Sequence, residues 1–468
     1  MFEPILSLSF LRSMPQTTGP LGRANFKQTF KERKLAIDSL PYYIGKSSQF
    51  LALAPPTRHA ETNKIYDAST YKRRGWNRLE MAAWNLLGCG KPIVFMTGPQ
   101  QLVPLQEISA FFSSAVGSGT FTDFRQEEQK SMWSVLAALV ERFINRYESQ
   151  NDMVHYRMYR AMWRLPFRGC PVAVQKVDEQ EQPATWEEFC EVFNLDKNRR
   201  LRGADFLQKS LPPLFYAVWS LNEPMVKEIL AAKADVNYKI VKNSGIYYVP
   251  NLDMLGFTVL HAAAMSCTAD HVAQSARILQ MLVDAKADPF VTTDFFASPI
   301  GWSLPQKNDF FWEWMKDNYT PFDFDKDILP FVGASLVTTG IAQANLKLLV
   351  AAAEAGANFS SRNNLGGLPP MSLHFSPIDM NYDQSPVSIW SWLLENKHVE
   401  DTHCLFDVAK ATRKLRGAMF KYRVAHKMRG GGSKACEKLG TFKTVLASRA
   451  GSGALHVACQ TKIVLIFD

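Results

Sequence analysis

The first third of the chain alternates between short apolar runs and segments in which apolar residues recur at helical spacing. Gln49–Ala54 and Pro92–Thr97 have the length and composition of buried strands, whereas Glu32–Gly45 and Arg78–Leu87 have helical spacing. A strand, a helix and a second strand in this order predict a parallel α/β unit. We assign this unit to residues 32–120 and expect residues 1–31 to be poorly ordered.

Helical spacing of apolar residues continues through residues 121–205. The clearest example runs from Met132 to Phe143, and Thr185 with Glu188 fits the capping box that begins a helix. We therefore predict a helical connector in which these apolar residues pack a core.

A sequence pattern repeats within residues 206–400. Each copy has two helix-like segments followed by a turn-like segment. The first copy consists of Pro213–Trp219, Met225–Leu230 and Ala234–Asn237, and the second of Gly256–Ala264, Ile278–Val283 and Ala287–Pro289. Weaker copies begin at Ser298–Trp302, end at Leu346–Leu349 with Glu354–Asn358, and continue to Leu394. A repeated pair of helices predicts a stacked array in which neighbouring copies share a core.

The second copy resembles the ankyrin repeat, whose pattern is G-x-T-P-L-H-x-A-A, a second apolar helix and a G-A-D-V-N turn. The resemblance implies that Thr258 caps the first helix and that His261 forms a hydrogen bond within the turn. It also implies that turn fingers and a helical face bind a protein partner.

The spacing between copies predicts a long loop that is a candidate contact surface. Leu214 and Leu260 are 46 positions apart, whereas an ideal ankyrin unit has about 33 residues, so Lys239–Leu255 must form an inter-repeat loop. The candidate partner-binding residues are Tyr247, Tyr248, Asp253 and Trp219, and the tyrosine pair is preferred. The alternative for Trp219 is a buried packing role, which is common for large aromatic side chains.

The block Tyr71–Glu80, between the two predicted strands, resembles the later half of a TIR domain. It contains Trp76 and, four residues later, Glu80, and similar R-G-W-C-R-x-E blocks occur in multi-domain ankyrin proteins of protists. The resemblance implies a flavodoxin-like unit in which Glu80 is the catalytic glutamate of an NAD hydrolase, with Trp76 beside it. Asn77 stands where the family has cysteine, and no counterpart of the first TIR strand precedes Glu32. The alternative is a structural carboxylate paired with Arg73 or Arg78.

The fold predicted from these patterns is mixed but mostly α. It is an α-solenoid of degenerate ankyrin repeats, preceded by a partial α/β unit of TIR or flavodoxin-like type and by the helical connector.

The net charge of +9 is concentrated near the C-terminus. Between Ala409 and Arg449 there are twelve Lys or Arg residues and one acid, Glu437, so this segment carries +11 and the rest about −2. A local basic segment argues against a broad nucleic-acid-binding face. We assign residues 401–428 to a basic helix and 429–468 to a linker with a stray half-repeat.

The basic helix resembles a degenerate IQ motif, a short helix that binds calmodulin. The matching positions are Arg416, Gly417, Lys421 and Val424, whereas Ala411 and Thr412 replace the expected isoleucine and glutamine. The resemblance implies a calmodulin-like acidic partner. The alternative is a solvated basic helix.

The sequence favours a non-enzymatic, intracellular protein without deciding the question. No apolar stretch approaches the roughly 18 residues of a membrane span, the seven cysteines form no CxxC pair, and residues 1–13 make a poor secretory signal. There is no HExxH, GxSxG or other metal or nucleophile motif. We therefore expect no cofactor, a cytoplasmic or nuclear location, and a scaffold or adaptor function. The alternative function is a TIR-like NAD hydrolase regulated by its array.

Overall fold

The computed structural model describes two compact units that are mostly helical, with small sheets. The described residues are 35, 37–60, 65–88, 91–99, 101–105, 115–121, 125–170, 182–198, 210–241, 248–249, 252–292, 297–329, 333–361, 363–364 and 386–398. The N-terminal unit comprises Met1–Arg199 with Val249–Asn251, and the C-terminal unit comprises Arg200–Tyr248 with Leu252–Asp468. The predicted mostly α character is confirmed.

The N-terminal unit joins the predicted α/β segment and the predicted connector in one compact body. Its elements are α1 (37–46), β1 (Leu51–Leu53), β2 (Thr57–Arg58), β3 (Ile65–Tyr66), α2 (Ala68–Arg73), α3 (Gly75–Leu86), β4 (Ile93–Gly98), β5 (Gln101–Leu105), α4 (Arg125–Ser149), α5 (Met153–Ala161) and α6 (Trp186–Val192). Single 3₁₀ turns lie at Val116–Ser118 and Leu165–Phe167.

A three-stranded sheet with the order β1-β4-β5 forms the centre of this unit. β1 and β4 are parallel, with Ala52 opposite Phe95, which confirms the predicted strand–helix–strand arrangement. β5 pairs antiparallel to β4 and was not predicted, because Pro104 interrupts its apolar run. Proline is tolerated here since β5 is an edge strand, where a missing N–H donor breaks no further ladder.

The core of the N-terminal unit lies between α3 and one face of the sheet. Ala52, Ile93 and Phe95 are buried on that face, and Leu79 and Ala83 of α3 are fully buried. Trp84 packs edge-on against Phe50 at 5.9 Å between ring centroids, and its indole N–H donates to the carbonyl of Lys91 at 2.8 Å.

Helices α4 to α6 extend this core, since α4 packs on α3 and α5 packs on α4. Buried Arg157 of α5 donates to the carbonyls of Phe193 and Asn194 at 3.0 and 2.6 Å, which satisfies the C-terminal end of α6. The capping box predicted at Thr185 and Glu188 is present.

The C-terminal unit is built from pairs of helices that stack in sequence. Its helices are α7 (Pro213–Trp219), α8 (Glu223–Ala231), α9 (Val259–Ser266), α10 (Val272–Asp284), α11 (Pro299–Ser303), α12 (Asp309–Asn318), α13 (Leu336–Ala342), α14 (Leu346–Glu354) and α15 (Pro386–Glu395). The short strands are β6 (Tyr248–Val249), β7 (Leu252–Asp253), β8 (Asp327–Leu329) and β9 (Ala334–Ser335), and a 3₁₀ turn lies at Ala269–His271.

We group the first eight of these helices by their order within each pair, as the first-helix row (α7, α9, α11, α13) and the second-helix row (α8, α10, α12, α14). Each first helix contacts the second helix that follows it. Along the rows, α7 contacts α9, α9 contacts α11, and α8 contacts α10. The first three pairs therefore pack on one another through their first helices.

The turn within a pair is built in the same way in three of the four pairs. A residue with positive φ follows the first helix, and the next residue, an asparagine, caps the second helix. The positive-φ residues are Leu221, Lys307 and Ala344, and the asparagines Asn222, Asn308 and Asn345 accept from the backbone N–H three residues later at 3.1, 3.3 and 3.1 Å. The turn after α9 lacks this design and uses Ser275, whose hydroxyl accepts from the N–H of Thr268 at 3.1 Å.

Replacing Asn308 by alanine should destabilise the C-terminal unit strongly. Its buried side chain caps α12 and donates to the carbonyls of Ala264 and Cys267 at 2.8 and 2.7 Å. Leaving these groups without partners should lower the free energy of unfolding in urea by about 3 kcal/mol. Asn318→Ala is the control because its amide bond to Trp314 is exposed, and a loss under about 0.5 kcal/mol is expected there. Equal losses would contradict the assigned role of Asn308.

Candidate functional site

The candidate catalytic residue Glu80 lies on α3, whose start is fixed by a close backbone approach. The N–H of Gly75 donates to the carbonyl of Thr120 at 2.9 Å. A Cβ at Gly75 would lie 2.1 Å from the ring of Phe121, and one at Gly119 would lie 2.6 Å from the Cα of Gly75. Position 119 therefore requires glycine, and any side chain at position 75 would displace the Phe121 ring.

Glu80 is 8% exposed and is bonded to a tyrosine. The hydroxyl of Tyr71 donates to its Oε2 at 3.2 Å, and the Tyr71 ring packs edge-on against Phe95 at 5.5 Å. Burial raises the pKa of Glu80 from 4.5 to about 7, and the Tyr71 hydrogen bond opposes this rise. The carboxyl can therefore gain or lose a proton near neutral pH.

The ion pair between Glu80 and an arginine that was considered from the sequence does not occur in the structure. Arg78 is buried and donates to the carbonyls of Lys72 and Ala115 at 2.8 and 2.9 Å and to the Ser118 hydroxyl at 2.8 Å. It thereby fastens the 115–118 turn to α3. The hydrogen-bond partner of Glu80 is Tyr71, so Glu80 lacks the neighbouring positive charge that would lower its pKa.

Two residues of the site were not assigned a role from the sequence. Tyr71 bonds Glu80, and the side-chain amide of Asn77 donates to the carbonyl of Tyr71 at 2.9 Å. Both lie within the Tyr71–Glu80 block, but their contacts cross the break between α2 and α3, which periodicity does not reveal. Trp76 is half-buried beside them.

The arrangement around Glu80 is suited to proton transfer, since a carboxyl with a pKa near 7 can act as acid or base at neutral pH. A small apolar cavity of the N-terminal unit lies elsewhere, between the 116–117 turn, Trp133, Phe167 and Cys170, and Glu80 is not among its lining residues. In the residues that the structure describes, no group of acidic, histidine or cysteine side chains is arranged to hold a metal ion.

The first-helix row of the C-terminal unit is buried. Every residue of α7, α9 and α11 is buried, as is Leu336–Ile341 of α13. Trp219, proposed from the sequence as a partner-binding residue, is 0% exposed and packs on Phe215 at 5.7 Å. This corrects its assignment: Trp219 has the packing role that was its alternative. These helices offer no exposed side chain to a partner.

His261 links two successive helix pairs. Its Nδ1 accepts from the backbone N–H of Thr258 at 3.0 Å, and its Nε2 lies 3.0 Å from the carbonyl of Ala297. Burial lowers its pKa to about 3, so the ring is neutral, and these partners assign the proton to Nε2. The turn role expected for His261 is present, and it extends to the next pair.

The turns after the second helices share a second design. An Asp or Asn accepts from the backbone N–H two residues later. These pairs are Asp235 with Asn237, Asp288 with Phe290, Asp323 with Asp325, and Asn358 with Ser360, at 3.0, 2.9, 2.8 and 2.8 Å. Side chains of this type commonly close such turns.

Some of these turns are also bonded to the next turn. Asn237 donates to the carbonyl of Lys286 at 2.9 Å and accepts from the N–H of Asp288 at 3.2 Å. Asp325 accepts from the N–H of Asn358 at 2.9 and 3.1 Å. In the turn after α10, the position equivalent to Asn237 and Asp325 is occupied by Phe290. Its ring packs on Phe322 with 5.4 Å between the ring centroids, and the Nζ of Lys326 lies 4.8 Å from its centroid.

The exposed charges of the second-helix row pair across neighbouring helices. The guanidinium Nε of Arg277 lies 2.9 and 2.8 Å from the carboxylate oxygens of Glu223, and Lys347 forms an ion pair with Glu313. This row has the mixed polar character of a solvated surface.

The other predicted partner-binding residues fall at or beyond the limits of the described chain. Tyr248 and Asp253 lie in β6 and β7, which pair with each other in the long connection after α8. Tyr247 lies outside the described residues, as do residues 1–31 and the IQ-like positions Arg416, Gly417, Lys421 and Val424. The calmodulin-like partner therefore stays a prediction from the sequence.

Cysteine chemistry gives no further candidate among the described residues. Cys170, Cys190 and Cys267 are buried, and burial raises the pKa of Cys267 to about 12. A thiol of this kind is a poor nucleophile.

Comparison with known proteins does not identify a family. No protein-family model matches the sequence, and no curated protein matches it either. Among the described residues, no helix has the length and apolar character needed to cross a membrane.

The raised pKa of Glu80 predicts a pH dependence of stability. The protonated form stabilises the folded chain below pH 4.5, and this contribution is lost as pH rises to about 7. Relative to Glu80→Gln, the free energy of unfolding of the wild type should fall by on the order of 3 kcal/mol across this window and stay level above it. Chemical denaturation at several pH values measures the difference. Glu141→Gln, at an exposed helix position, should keep the wild-type profile, and a flat difference for Glu80→Gln would contradict the prediction.

Proposed function

We propose that the chain is a protein-interaction scaffold that binds a macromolecular partner through a degenerate ankyrin-type array in its C-terminal unit. The observation that carries this proposal is the recurrence of one turn design after four successive second helices, Asp235, Asp288, Asp323 and Asn358 each closing a turn. Stacked repeats of this kind bury their apolar faces against each other and act by contact. The resemblance of Gly256–Ala264 to an ankyrin repeat supports the same function.

The partner surface that we propose is the turn row, which consists of the turns after α8, α10, α12 and α14. We exclude the first-helix row as a binding surface because its residues are buried. We exclude the second-helix row because it is a solvated polar surface. The turn row exposes Lys233 and Lys286 and leaves Tyr319 and Phe322 half-buried. Accessible aromatic side chains among charged residues are typical of binding hot spots.

Reversing charge on the turn row should weaken partner binding. Immobilised full-length protein is used to isolate a partner, whose affinity is then measured with purified components. The double variant Lys233→Glu with Lys286→Glu should weaken binding by about tenfold, since reversing two interface charges slows association and leaves the partner's opposite charges unpaired. The matched control, Lys227→Glu with Lys316→Glu, changes two exposed lysines of the second-helix row and should bind normally. Equal loss in both variants would contradict the turn row, and no retained partner would contradict the scaffold.

The alternative function, a TIR-like NAD hydrolase, is favoured by one observation. Glu80 has a pKa of about 7 and lies on α3, the helix that follows β1 and precedes its parallel neighbour β4. A glutamate in such a position can serve as a general base.

The scaffold proposal predicts that the purified chain releases no nicotinamide from NAD. Chromatography of NAD incubations measures the product directly, with and without the partner captured above. Release by the wild type that Glu80→Gln abolishes would establish the hydrolase. Equal release by wild type and Glu80→Gln would point to a contaminant and leave Glu80 without a catalytic role.

A further inference from the structure

Two turns of the turn row contain a lysine in a backbone conformation that favours glycine. Lys233, after α8, has a φ of 61°, and Lys286, after α10, has a φ of 70°. A positive φ brings the Cβ of an ordinary residue close to the following carbonyl oxygen, so this conformation is routine for glycine and only occasional for asparagine or aspartate. Each lysine therefore makes its turn less stable than glycine would.

The turn after α14 shows that glycine is sufficient at this position. Lys233, Lys286 and Gly356 each stand two residues after the end of their helix, and the φ of Gly356 is 76°. Their backbone N–H groups donate to the carbonyl three residues earlier at 2.8, 2.9 and 3.0 Å, so the three turns share one geometry. A Cβ at Gly356 would have no atom within 4 Å. Neither the turn nor its packing therefore explains a lysine.

The charges of these two lysines have no partner within the described part of the chain. Both side chains are exposed, and neither ammonium group forms a hydrogen bond or an ion pair there. Other lysines of the C-terminal unit are engaged, since Lys347 pairs with Glu313 and Lys326 lies over the ring of Phe290. A lysine that weakens its turn and has no partner in its own unit is available to a partner outside it.

The two turns are fixed to each other, which sets the spacing of the two charges. Asn237 donates to the carbonyl of Lys286 at 2.9 Å and accepts from the N–H of Asp288 at 3.2 Å. The helices α8 and α10 are in contact, and packed helices lie about 8–10 Å apart. An extended polyproline II segment rises about 3.1 Å per residue with three residues per turn, so its same-face side chains recur at about 9 Å.

We propose that Lys233 and Lys286 bind an extended acidic segment of a protein partner, in which carboxylates recur at every third residue. This proposal rests on the scaffold function proposed above and specifies the partner chemistry at the turn row. Two ammonium groups at a fixed spacing favour carboxylates at the same spacing, because pairing of the first brings the second within reach.

The binding test uses the full-length protein and a peptide of about 12 residues built from Glu-Pro-Pro units, acetylated and amidated so that only glutamates carry carboxylates. A carbodiimide takes up the water released as a bound carboxylate and a lysine amine form an amide, and mass spectrometry identifies the lysine. At subsaturating peptide, cross-links should form at Lys233 and Lys286. The yield at Lys286 should fall about fivefold in Lys233→Gly, because one of two charges is lost. Lys227→Ala removes an exposed lysine of α8 and should leave this yield unchanged.

A stability measurement separates partner binding from a role of the lysines at the helix ends. An ammonium near a helix C-terminus interacts favourably with the helix dipole, so lysines that served this purpose would make Lys233→Gly and Lys286→Gly melt at lower temperature. We expect each variant to melt about 2 °C higher instead, because glycine relieves the strained conformation. Gly356→Lys, the reverse change, should melt lower by a similar amount. A lower melting temperature for both glycine variants would overturn the proposal.

Three binding results would also overturn it. Cross-links confined to residues 409–449, the basic segment, would show that the peptide does not bind the turn row. Equal yields from a peptide of the same composition with consecutive glutamates would show attraction without a matched spacing. Displacement of the peptide by an equal concentration of a single-stranded oligonucleotide would make nucleic acid the better ligand. Under each result, a captured partner that depends on the turn row would still support the scaffold, whereas failure to capture any partner contradicts the scaffold itself.

Discussion

The fold of the C-terminal unit depends on side chains that supply hydrogen-bond partners to the backbone groups of its turns. Helix ends leave N–H and carbonyl groups without partners inside the helix, and a stacked array brings many such ends together. Asparagine and aspartate side chains meet this need in the caps at Asn222, Asn308 and Asn345 and in the turns that begin at Asp235 and Asp288. The residue type is fixed at these few points, whereas the residues between them need only be apolar or polar on the correct side. The helix pairs can therefore differ in sequence while sharing this turn design.

The N-terminal unit meets the same need with arginine. Arg78 and Arg157 are buried, and each donates to two backbone carbonyls. A buried cation that is committed to carbonyls does not neutralise a nearby carboxylate, which leaves Glu80 with the neutral Tyr71 hydroxyl. The raised pKa of Glu80 thus follows from its burial, which the Tyr71 hydrogen bond only partly opposes. A raised pKa is compatible with a catalytic role of Glu80 but is not evidence for one.

Sequence patterns predicted the elements whose signal is local. The apolar runs of β1 and β4, the capping box at Thr185 and the turn roles of Thr258 and His261 all depend on residues within a few positions of one another. Features that depend on contacts between residues distant in the sequence were not predicted. β5 contains a proline that only an edge position tolerates, and the partner of Glu80 lies across a helix break. The burial of Trp219 depends on the stacking of whole helices, which no single segment reveals.

The contacts that join successive helix pairs of the C-terminal unit differ in how they respond to ionic strength, and the turn that contains Phe290 lies where they change. The first two helix pairs are joined by the polar bridge from Asn237 and the ion pair of Arg277 with Glu223. The last two are joined by Asp325 and the ion pair of Lys347 with Glu313. Between these blocks stand an aromatic turn, neutral His261 and buried Asn308. Salt screens exposed ion pairs far more than buried neutral contacts, so concentrated salt weakens the ion pairs at the two outer junctions and leaves the neutral contacts of the middle junction unchanged.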